Sequence, residues 1–318
     1  MVHKPAPEAS RKIIIRDSTL REGLDVPGVS FSTEQRLRIA KLLDRSKVPE
    51  IEIVAPGRVF QDLEFAGRLK AEGLQIRTSG LVFAASPSYR EEVDAVSACV
   101  DGFELLMPVS EQRKPYDRDT KTRLLLDALD YSLKHSSCVG VGFPHSTQVA
   151  PEFLLEISWE SVRKGAKRVL IYDTSGSADP FAVYSLVRSL KESVNAPLFF
   201  HGHNDLGMAT ANSVAAVRAG VDGLDATVNG LGDRAGNASL EQVAMVLHLQ
   251  GLETGISLDT LRELSETVER ESGIKVSKLA PVVGEFVATH KSPAHLENPG
   301  LFEAFDPSLI SLQRKITQ

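Results

Sequence analysis

The sequence predicts an α/β fold in which eight parallel strands, each followed by a helix, close into a (β/α)8 barrel. Eight short β-rich runs alternate with longer amphipathic stretches over roughly 240 residues, a length that fits such a barrel. Most of the runs are continuously apolar, as parallel strands covered on both faces should be. The alternative, a doubly wound sheet, usually has about five to seven strands and would leave the eighth unit unexplained.

The predicted strands and helices alternate along the chain. The strands comprise residues 13–15, 51–54, 74–78, 102–107, 139–143, 168–172, 198–203 and 223–227. The amphipathic stretches between them include residues 33–46, 119–134, 151–164 and 179–194. Pro151 and Pro180 stand near two of the helix starts, where a missing backbone N–H costs little.

The alternation ends after about residue 250, where the βα pattern gives way to a different composition. Residues 258–270 predict one more helix with an apolar face. The remainder mixes Pro, His and aromatic residues without periodicity. We therefore predict a barrel domain at residues 12–256 and a small C-terminal appendage, mostly irregular or helical, at residues 257–318.

Composition and charge narrow the functional classes. The formal net charge of -6 and the absence of a dense basic patch predict no nucleic-acid partner. The apolar runs are strand-sized, well below the roughly 18 residues of a membrane span, so no membrane partner is predicted. Residues 1–12 lack the apolar core of a signal peptide, and Cys99 and Cys138, the only cysteines, suit a reducing compartment. These features predict a cytoplasmic protein.

The most informative stretch is Phe-Phe-His-Gly-His-Asn-Asp-Leu-Gly at residues 199–207. Side chains alternate along a strand, so His201 and His203 are expected to point to the same side. Two imidazoles placed in this way can chelate one divalent metal ion. The alternative is a pair of histidines that are merely hydrogen-bonded at a polar strand end.

Polar residues collect at the carboxyl ends of the predicted strands, where barrels of this kind carry their chemistry. Strand one runs into residues 16–23, strand six ends in Asp173-Thr174, and strand eight leads into the loop 229–237. One carboxylate, two imidazoles and an amide oxygen could thus converge on one ion. Such a donor set suits Mg²⁺, Mn²⁺, Zn²⁺ or Fe²⁺ and does not choose among them.

Glu52 stands out in the second strand because it alternates with Ile51 and Ile53. It therefore lies inside the barrel or at its rim, where an unpaired carboxylate is costly, and a functional role is favoured. Other positions keep structural alternatives. Arg21 and Glu22 could form a solvated ion pair, and the aspartates that follow strands one and six could cap helices. The glycines after strand eight lack the spacing of a dinucleotide fingerprint.

Three separated segments, residues 17–23, 201–220 and 228–242, resemble 2-isopropylmalate and homocitrate synthases. These enzymes belong to the metal-dependent TIM barrels that include 3-hydroxy-3-methylglutaryl-CoA lyase. The likeness spans about residues 12–250 and continues more weakly beyond. It implies a TIM barrel with one divalent metal ion, a 2-oxo acid and an acyl-CoA as substrates, and a homodimer.

The resemblance assigns roles to the positions that match the family's motifs. Arg21 matches the arginine that stabilises the enolate, and Glu52 matches the second-strand glutamate of the active site. Thr174 matches a threonine that binds the carboxylate of the 2-oxo acid. Asp233 stands where the synthases carry a glutamate near the acyl-CoA. The implied metal ligands are Glu22, His201, His203 and Asn237.

Two further groups of residues are implied to complete the site. In the appendage, His295 matches the histidine that assists proton abstraction, although a plain loop histidine is the alternative. By analogy with the family's third and fourth strands, Ser79, Arg77 and residues 107–114 line the pocket. Arg77 or Arg113 would meet a distal carboxylate, which would favour a dicarboxylic 2-oxo acid.

Several positions depart from the synthase pattern. Leu24-Asp25 replaces the usual Glu-Gln of the synthases, and Gly142-Phe-Pro144 is closer to the lyases. The chain ends soon after Pro307, so most of the second synthase subdomain and the regulatory domain are absent, and feedback inhibition at such a domain is not expected. The compact loop after strand eight and the shortened His-containing segment favour a synthase.

We therefore expect a Claisen-type condensation of an acyl-CoA, preferably acetyl-CoA, with a 2-oxo acid. The products would be free CoA and a 2-hydroxy dicarboxylic or tricarboxylic acid. The first alternative is a retro-Claisen lyase of the 3-hydroxy-3-methylglutaryl-CoA lyase type. The second is an inactive barrel that serves as a binding protein, against which the intact set of polar residues argues.

Overall fold

The computed structural model describes residues 11–110 and 116–317. Eight parallel strands form a closed barrel in sequence order, with the last strand pairing with the first. The prediction of a (β/α)8 barrel is therefore confirmed. The strands are β1 (Ile14–Asp17), β2 (Glu50–Val54), β3 (Arg77–Phe83), β4 (Gly102–Leu106), β5 (Val139–Phe143), β6 (Val169–Asp173), β7 (Leu198–Gly202) and β8 (Gly223–Ala226).

Helices follow the strands and cover the outside of the barrel. The predicted helical stretches agree with the structure to within two residues at either end. The helices are α1 (Thr19–Glu22), α2 (Thr33–Arg45), α3 (Val59–Ala71), α4 (Tyr89–Cys99), α5 (Arg118–Ser132), α6 (Pro151–Lys164), α7 (Pro180–Ser193), α8 (Ala209–Ala219) and α9 (Leu240–Leu249). In the described residues, no helix is both long and apolar enough to cross a membrane.

Helix α2 illustrates how local sequence defines these elements. The Ser32 side chain accepts a hydrogen bond from the Gln35 backbone, and the Gln35 side chain accepts one from the Ser32 backbone, which forms a capping box. Leu37, Ala40 and Leu43 are buried along one face, at the spacing of a helix that packs on a sheet.

Strand β3 is the one element whose predicted position was wrong. The apolar run at residues 74–78 predicted a strand, but β3 extends from Arg77 to Phe83. The amides of Gln75 and Ile76 donate to the Asp44 carboxylate, which holds these residues in a loop. Small residues follow, and they lack the apolar pattern that indicates a strand. Residue 80 is a glycine at a close approach to β2, because a Cβ there would stand 2.8 Å from the Val54 Cβ.

The barrel interior contains an ionic network. The Arg16 guanidinium donates to both carboxylate oxygens of Asp225, each at 2.8 Å, and to Glu104 at 2.7 Å. Arg168 bonds Glu104 in turn and reaches Glu50 at 2.6 Å. Removal of any one member would leave a buried charge without its partner, so the network acts as a unit.

Beside the ionic network, the interior holds a small apolar cluster. Its side chains come from β3, β4, β6 and β7 and pack against one another in the barrel. The members are Leu81, Leu106, Leu170, Tyr172 and Phe199. The strand alternation thus fills the interior with both kinds of side chain and leaves polar groups toward the carboxyl ends.

After the barrel, α10 (Leu261–Ser272) confirms the helix predicted for residues 258–270. Its apolar face, including Leu261, Leu264 and Val268, is buried. The chain then forms turns, the short helix α11 (Pro293–Leu296) and a two-stranded parallel sheet of β9 (Thr289–His290) and β10 (Lys315–Ile316). The domain division at residue 256 stays a prediction.

Candidate metal centre and active site

Glu22, His201 and His203 meet at the carboxyl end of the barrel. Each offers one ligand atom, and these atoms lie within 4.8 Å of one another. Glu22 ends α1, which directly follows β1, while the two histidines come from the end of β7. All three side chains are buried. The structure thus brings together three of the four predicted metal ligands in the way the sequence implied.

Asn237, the fourth predicted ligand, lies against the same cluster. Its amide nitrogen stands 3.1 Å from His201 Nε2, and its Oδ1 is buried with no hydrogen-bond partner among the described residues. Exchanging the two amide atoms by a half-turn would bring this oxygen to His201 Nε2. Gly232 allows the close approach, because a Cβ there would lie 1.8 Å from Asn237 Oδ1.

The donor set fits a divalent cation. The Nε2 atoms of His201 and His203 face each other at 3.3 Å, and His201 Nε2 lies 3.4 Å from a Glu22 oxygen. Two imidazole nitrogens, a carboxylate and an amide oxygen that has no donor form a buried set of lone pairs. Such a set suits a borderline or hard divalent ion and does not distinguish among candidates.

His201 is held in its orientation by a second layer of contacts. Its Nδ1 lies 2.9 Å from the Asp225 carboxylate, which is itself bound by Arg16. A carboxylate that accepts the Nδ1 proton leaves Nε2 to face the cluster. This arrangement connects the ionic network of the barrel directly to the candidate metal centre.

The surroundings shift the pKa values of the cluster in opposite directions. Burial would raise the pKa of Glu22, but the Arg21 guanidinium and the two histidines hold it well below its usual range. Burial would lower the pKa of His201, but hydrogen bonds with Asp225 and Glu22 raise it to about 9. Burial and the neighbouring His201 charge lower the pKa of His203 to about 3. His201 is therefore protonated in the metal-free protein, and a cation that binds Nε2 must displace this proton.

Arg21 lies beside the cluster and is fixed between two acids. Its Nε donates to Glu52 at 2.5 Å, and its guanidinium also pairs with Glu22. The Arg21 side chain is only 9% exposed and the Glu52 side chain is fully covered. Burial opposes the charge, but Glu22 and Glu52 raise the pKa of Arg21 well above its usual value. A permanent, oriented cation therefore faces the barrel mouth.

Thr174 and Asp233 lie in loops at the same mouth and are linked by one arginine. Arg234 donates to the Thr174 carbonyl at 2.7 Å, to Asp233 at 2.6 Å and to Asp205 at 2.8 Å. The Thr174 hydroxyl accepts from the His145 amide at 2.8 Å. The loops after β6, β7 and β8 are thus tied together, and Thr174 and Asp233 keep their predicted roles as proposals.

The structure corrects the pocket prediction for Arg77. This residue starts β3 at its amino end, is exposed, and donates to Cys138 at 3.4 Å, so it lies at the opposite end of the barrel from the mouth. Ser79 is buried in the interior, where it accepts from Arg16 at 3.4 Å. Arg113 falls outside the described residues, as does the second half of the predicted pocket segment at residues 107–114.

His295 lies in the appendage. Its Nδ1 is 3.2 Å from His290 Nδ1, and its ring stacks on Phe302 with the ring centroids 3.9 Å apart. Among the hydrogen bonds of the described residues, none connects His295 with the Glu22 cluster. Its role in proton abstraction stays a prediction.

Three residues of the site were missed at the level of sequence. Arg16 and Asp225 orient His201, and the Tyr172 ring packs on the His201 ring with centroids 4.8 Å apart. The signal for Arg16 and Tyr172 was present in the alternation of their strands, because each is a polar residue at an inward position. Asp225 could have been found in the same way.

Comparison with known proteins shows the family to which this chain belongs. The chain matches the HMGL-like family model over residues 12–268. A homocitrate synthase of Methanopyrus kandleri is 37% identical over 315 residues, covering 96% of this chain and 78% of that protein. A 2-isopropylmalate synthase of Caldanaerobacter subterraneus is 32% identical over 315 residues, covering 96% and 81%. An HMG-CoA lyase from Bacillus subtilis shares the fold, with a TM-score of 0.73 at 20% identity over 83% of this chain and 94% of that one. The chain belongs to the HMGL-like family.

Proposed function

We propose that this protein condenses an acyl-CoA with a 2-oxo acid in a Claisen-type reaction that depends on a divalent metal ion. The preferred acyl donor is acetyl-CoA, and the products are free CoA and a 2-hydroxy dicarboxylic or tricarboxylic acid. The observation that carries the proposal is the convergence of Glu22, His201 and His203 beside the buried Arg21. Relatives named homocitrate and 2-isopropylmalate synthase, matched over almost the whole chain, support the same reaction class.

The metal would be held by Glu22, His201 and His203, with Asn237 as the fourth ligand. The chemistry that a bound divalent cation supplies here is Lewis-acid polarisation of the keto group of the acid. Asp225 keeps the His201 ring oriented through its bond to Nδ1 at 2.9 Å. The ligands are therefore positioned before any substrate enters.

Arg21 would stabilise the enolate that forms from the acyl-CoA. Its guanidinium is charged at every working pH and is anchored by Glu52 and Glu22, so its remaining N–H groups can be directed at a developing oxyanion. Because the donor is already oriented and desolvated, little reorganisation is needed when the negative charge appears. Glu52 acts through Arg21 as a positioning residue.

Thr174 would bind the carboxylate of the 2-oxo acid. Its hydroxyl oxygen accepts from the His145 amide at 2.8 Å, which orients the hydroxyl while its own hydrogen can still be donated to an anionic oxygen. Asp233 lies in the neighbouring loop beside Arg234, where it would approach the acyl-CoA.

His295 would accept the proton from the acyl-CoA methyl group. Glu303 lies 2.9 Å from His290 Nε2 and is itself held by Arg314 at 2.6 Å. If Glu303 accepts the Nε2 proton of His290, the Nδ1 of His290 accepts from His295 Nδ1 at 3.2 Å. The Nε2 atom of His295 then carries the free lone pair, as a general base requires.

The test is release of free CoA from acetyl-CoA in the presence of a panel of branched, short and dicarboxylic 2-oxo acids, with Mg²⁺ or Mn²⁺. We expect at least one acid to promote release in a chelator-sensitive way. The His203→Ala variant should lose the reaction, while the exposed control His248→Ala on α9 should retain it. Cleavage of a 3-hydroxyacyl-CoA without acid-dependent CoA release would instead establish the lyase alternative.

We further propose that the protein is a homodimer in the cytoplasm and that the appendage begins near residue 257. The two cysteines, which are both free, are consistent with a reducing compartment. Sedimentation analysis of the purified chain would test the dimer, because a monomer at micromolar concentration would contradict it.

A further inference from the structure

Tyr172 lies at the carboxyl end of β6, and its ring points into the barrel together with that of Phe199. The residue is 5% exposed, and its hydroxyl is buried without a hydrogen-bond partner in the described part of the chain. A buried phenol without a partner costs free energy of folding. A group that binds beside this hydroxyl could accept its hydrogen bond.

The position of the ring places it at the candidate metal centre. The register of β6 and β7 pairs Tyr172 with His201, and the two rings pack at a tilt of 39°. His201 in turn contacts Glu22 and His203. The phenol is therefore part of the wall of the barrel mouth, next to a proposed metal ligand.

The neighbouring strand leaves room for this ring. Gly142 lies in β5, and a Cβ there would come within 3.0 Å of Tyr172 Cε2 and 3.6 Å of the hydroxyl oxygen. The same Cβ would stand 2.5 Å from a methyl carbon of Leu106. The absence of a side chain at position 142 thus creates the slot that the phenol occupies.

A phenol is ordinarily protonated near neutral pH, so the Tyr172 hydroxyl carries a hydrogen that it can donate. The Arg21 guanidinium, which can only donate, lies within electrostatic range of this hydroxyl, which can both donate and accept.

We propose that the Tyr172 hydroxyl donates a hydrogen bond to an anionic oxygen of the bound substrate, alongside Arg21, and is a catalytic residue of this protein. The inference rests on the proposed function. Two oxygens have the required chemistry, the carboxylate of the 2-oxo acid and the enolate oxygen that forms from the acyl-CoA thioester. In either case the substrate satisfies the phenol that the fold leaves unpaired.

The test is the Tyr172→Phe variant, which keeps the ring against His201 and in the slot over Gly142 and removes only the hydroxyl. We expect kcat/KM to fall by about 10- to 100-fold, in the range for loss of one hydrogen bond to a charged oxygen. The affinity for Mn²⁺ should stay within about 2-fold, and the urea midpoint should stay equal or rise, because an unpaired polar group is lost. The control Tyr184→Phe, at an exposed position on α7, should change none of these values.

Equilibrium binding separates the two oxygens. The dissociation constants of the 2-oxo acid and of acetyl-CoA are measured by calorimetry on Mn²⁺-loaded wild-type protein and on the variant. A larger dissociation constant for the acid in the variant would identify its carboxylate as the oxygen that Tyr172 contacts. Unchanged binding with a lower kcat would identify the enolate oxygen. Unchanged kcat/KM together with unchanged binding would overturn the proposal, as would a lowered urea midpoint without a kinetic effect.

Failure of the proposed function has a different signature. If wild-type protein binds acid and acetyl-CoA but releases no CoA, the condensation is wrong, while the comparison of dissociation constants still decides whether Tyr172 contacts the acid. If wild-type protein binds neither compound, both proposals are overturned.

Discussion

The same series of hydrogen-bonded groups, an arginine, a carboxylate and an imidazole, occurs in two parts of the molecule with different surroundings. In the barrel, Arg16 holds Asp225, which holds His201, and the side chains are at most 1% exposed. Every bond in this sequence is enclosed by strands, so neither water nor alternative rotamers compete with it. We refer to these three residues as the barrel relay.

In the appendage, Arg314 holds Glu303, which holds His290, and His290 continues to His295. The Arg314 side chain is 41% exposed, whereas those of Glu303 and His290 are 5% exposed, and the elements that carry these residues are short turns, short helices and two-residue strands. We refer to these four residues as the appendage relay. The comparison teaches that one order of groups can orient the proposed metal ligand His201 in the barrel core and the proposed proton acceptor His295 in the appendage.

The difference predicts different energetic costs. A buried charge that loses its partner costs about 3–5 kcal/mol of stability, whereas an exposed ion pair contributes about 1 kcal/mol or less. Changes in the barrel relay should therefore affect folding and metal binding together. Changes in the appendage relay should affect turnover with little effect on folding.

The largest effect is expected for Asp225→Asn. The variant removes the charge that balances Arg16 and orients His201, so we expect a loss of about 3 kcal/mol or more in unfolding free energy. The affinity for Mn²⁺ should fall by about 10- to 100-fold. Urea unfolding and a competition titration would measure the two values. Asp130→Asn, at a surface pair with Lys134, is the control and should leave metal affinity unchanged.

Arg21→Lys sharpens the comparison inside the barrel mouth. Lysine lacks the planar guanidinium, so its ammonium group cannot bond both Glu52 and Glu22 and still face the substrate. We therefore expect kcat/KM to fall by about 100- to 1,000-fold. Metal affinity should change by less than about 3-fold, because Arg21 is not a ligand. Equal losses in metal affinity and in turnover would show that Arg21 acts only by supporting Glu22.

The pH dependence of metal binding tests the proton on His201. The pKa of His201 is raised to about 9, so a cation must displace this proton at any lower pH. Affinity should rise by about 10-fold per pH unit from pH 7 to about pH 9 and then level off. The folding stability of the metal-free protein should change with pH in the opposite direction. The raised pKa of His201 stabilises the fold below about pH 6.5, and this contribution is lost as the pH rises toward 9. A pH-independent affinity between pH 7 and 9 would show that His201 is already neutral.

The smallest effect on stability is expected for Glu303→Gln in the appendage relay. The free energy of unfolding should change by less than for Asp225→Asn, because Glu303 is covered but its partner Arg314 is 41% exposed to solvent. If His295 is the base, kcat should still fall by about 10-fold or more, with a shifted pH–rate profile and unchanged Mn²⁺ affinity. A wild-type profile would show that the appendage relay is structural.

The parts of the site that the sequence predicted share a local signature. His201 and His203 are two residues apart on one strand, and Glu22 follows the first strand directly, so strand periodicity and the position of strand ends were enough to bring them together. The barrel itself was predictable because each βα unit carries its own apolar pattern.

Strand alternation could have indicated the inward position of the missed residues, but their partners depend on contacts between strands. Arg16 and Asp225 are 209 positions apart and meet only because β8 pairs with β1 in a particular register. Arg77 was misplaced because the start of β3 was predicted too early, which assigned the residue to the wrong end of its strand. The unpaired hydroxyl of Tyr172 is a property of the packed interior and cannot be predicted from the spacing of residues in the sequence.

The most direct test of the metal centre is a titration of chelator-treated protein with Mn²⁺, followed by calorimetry, for wild type and for His203→Ala. The account predicts one ion per chain in wild-type protein and at least about a 100-fold weaker binding in the variant. Equal binding by the two proteins, or no binding by wild type, would contradict a cation at the barrel mouth and the carbon–carbon bond chemistry built on it.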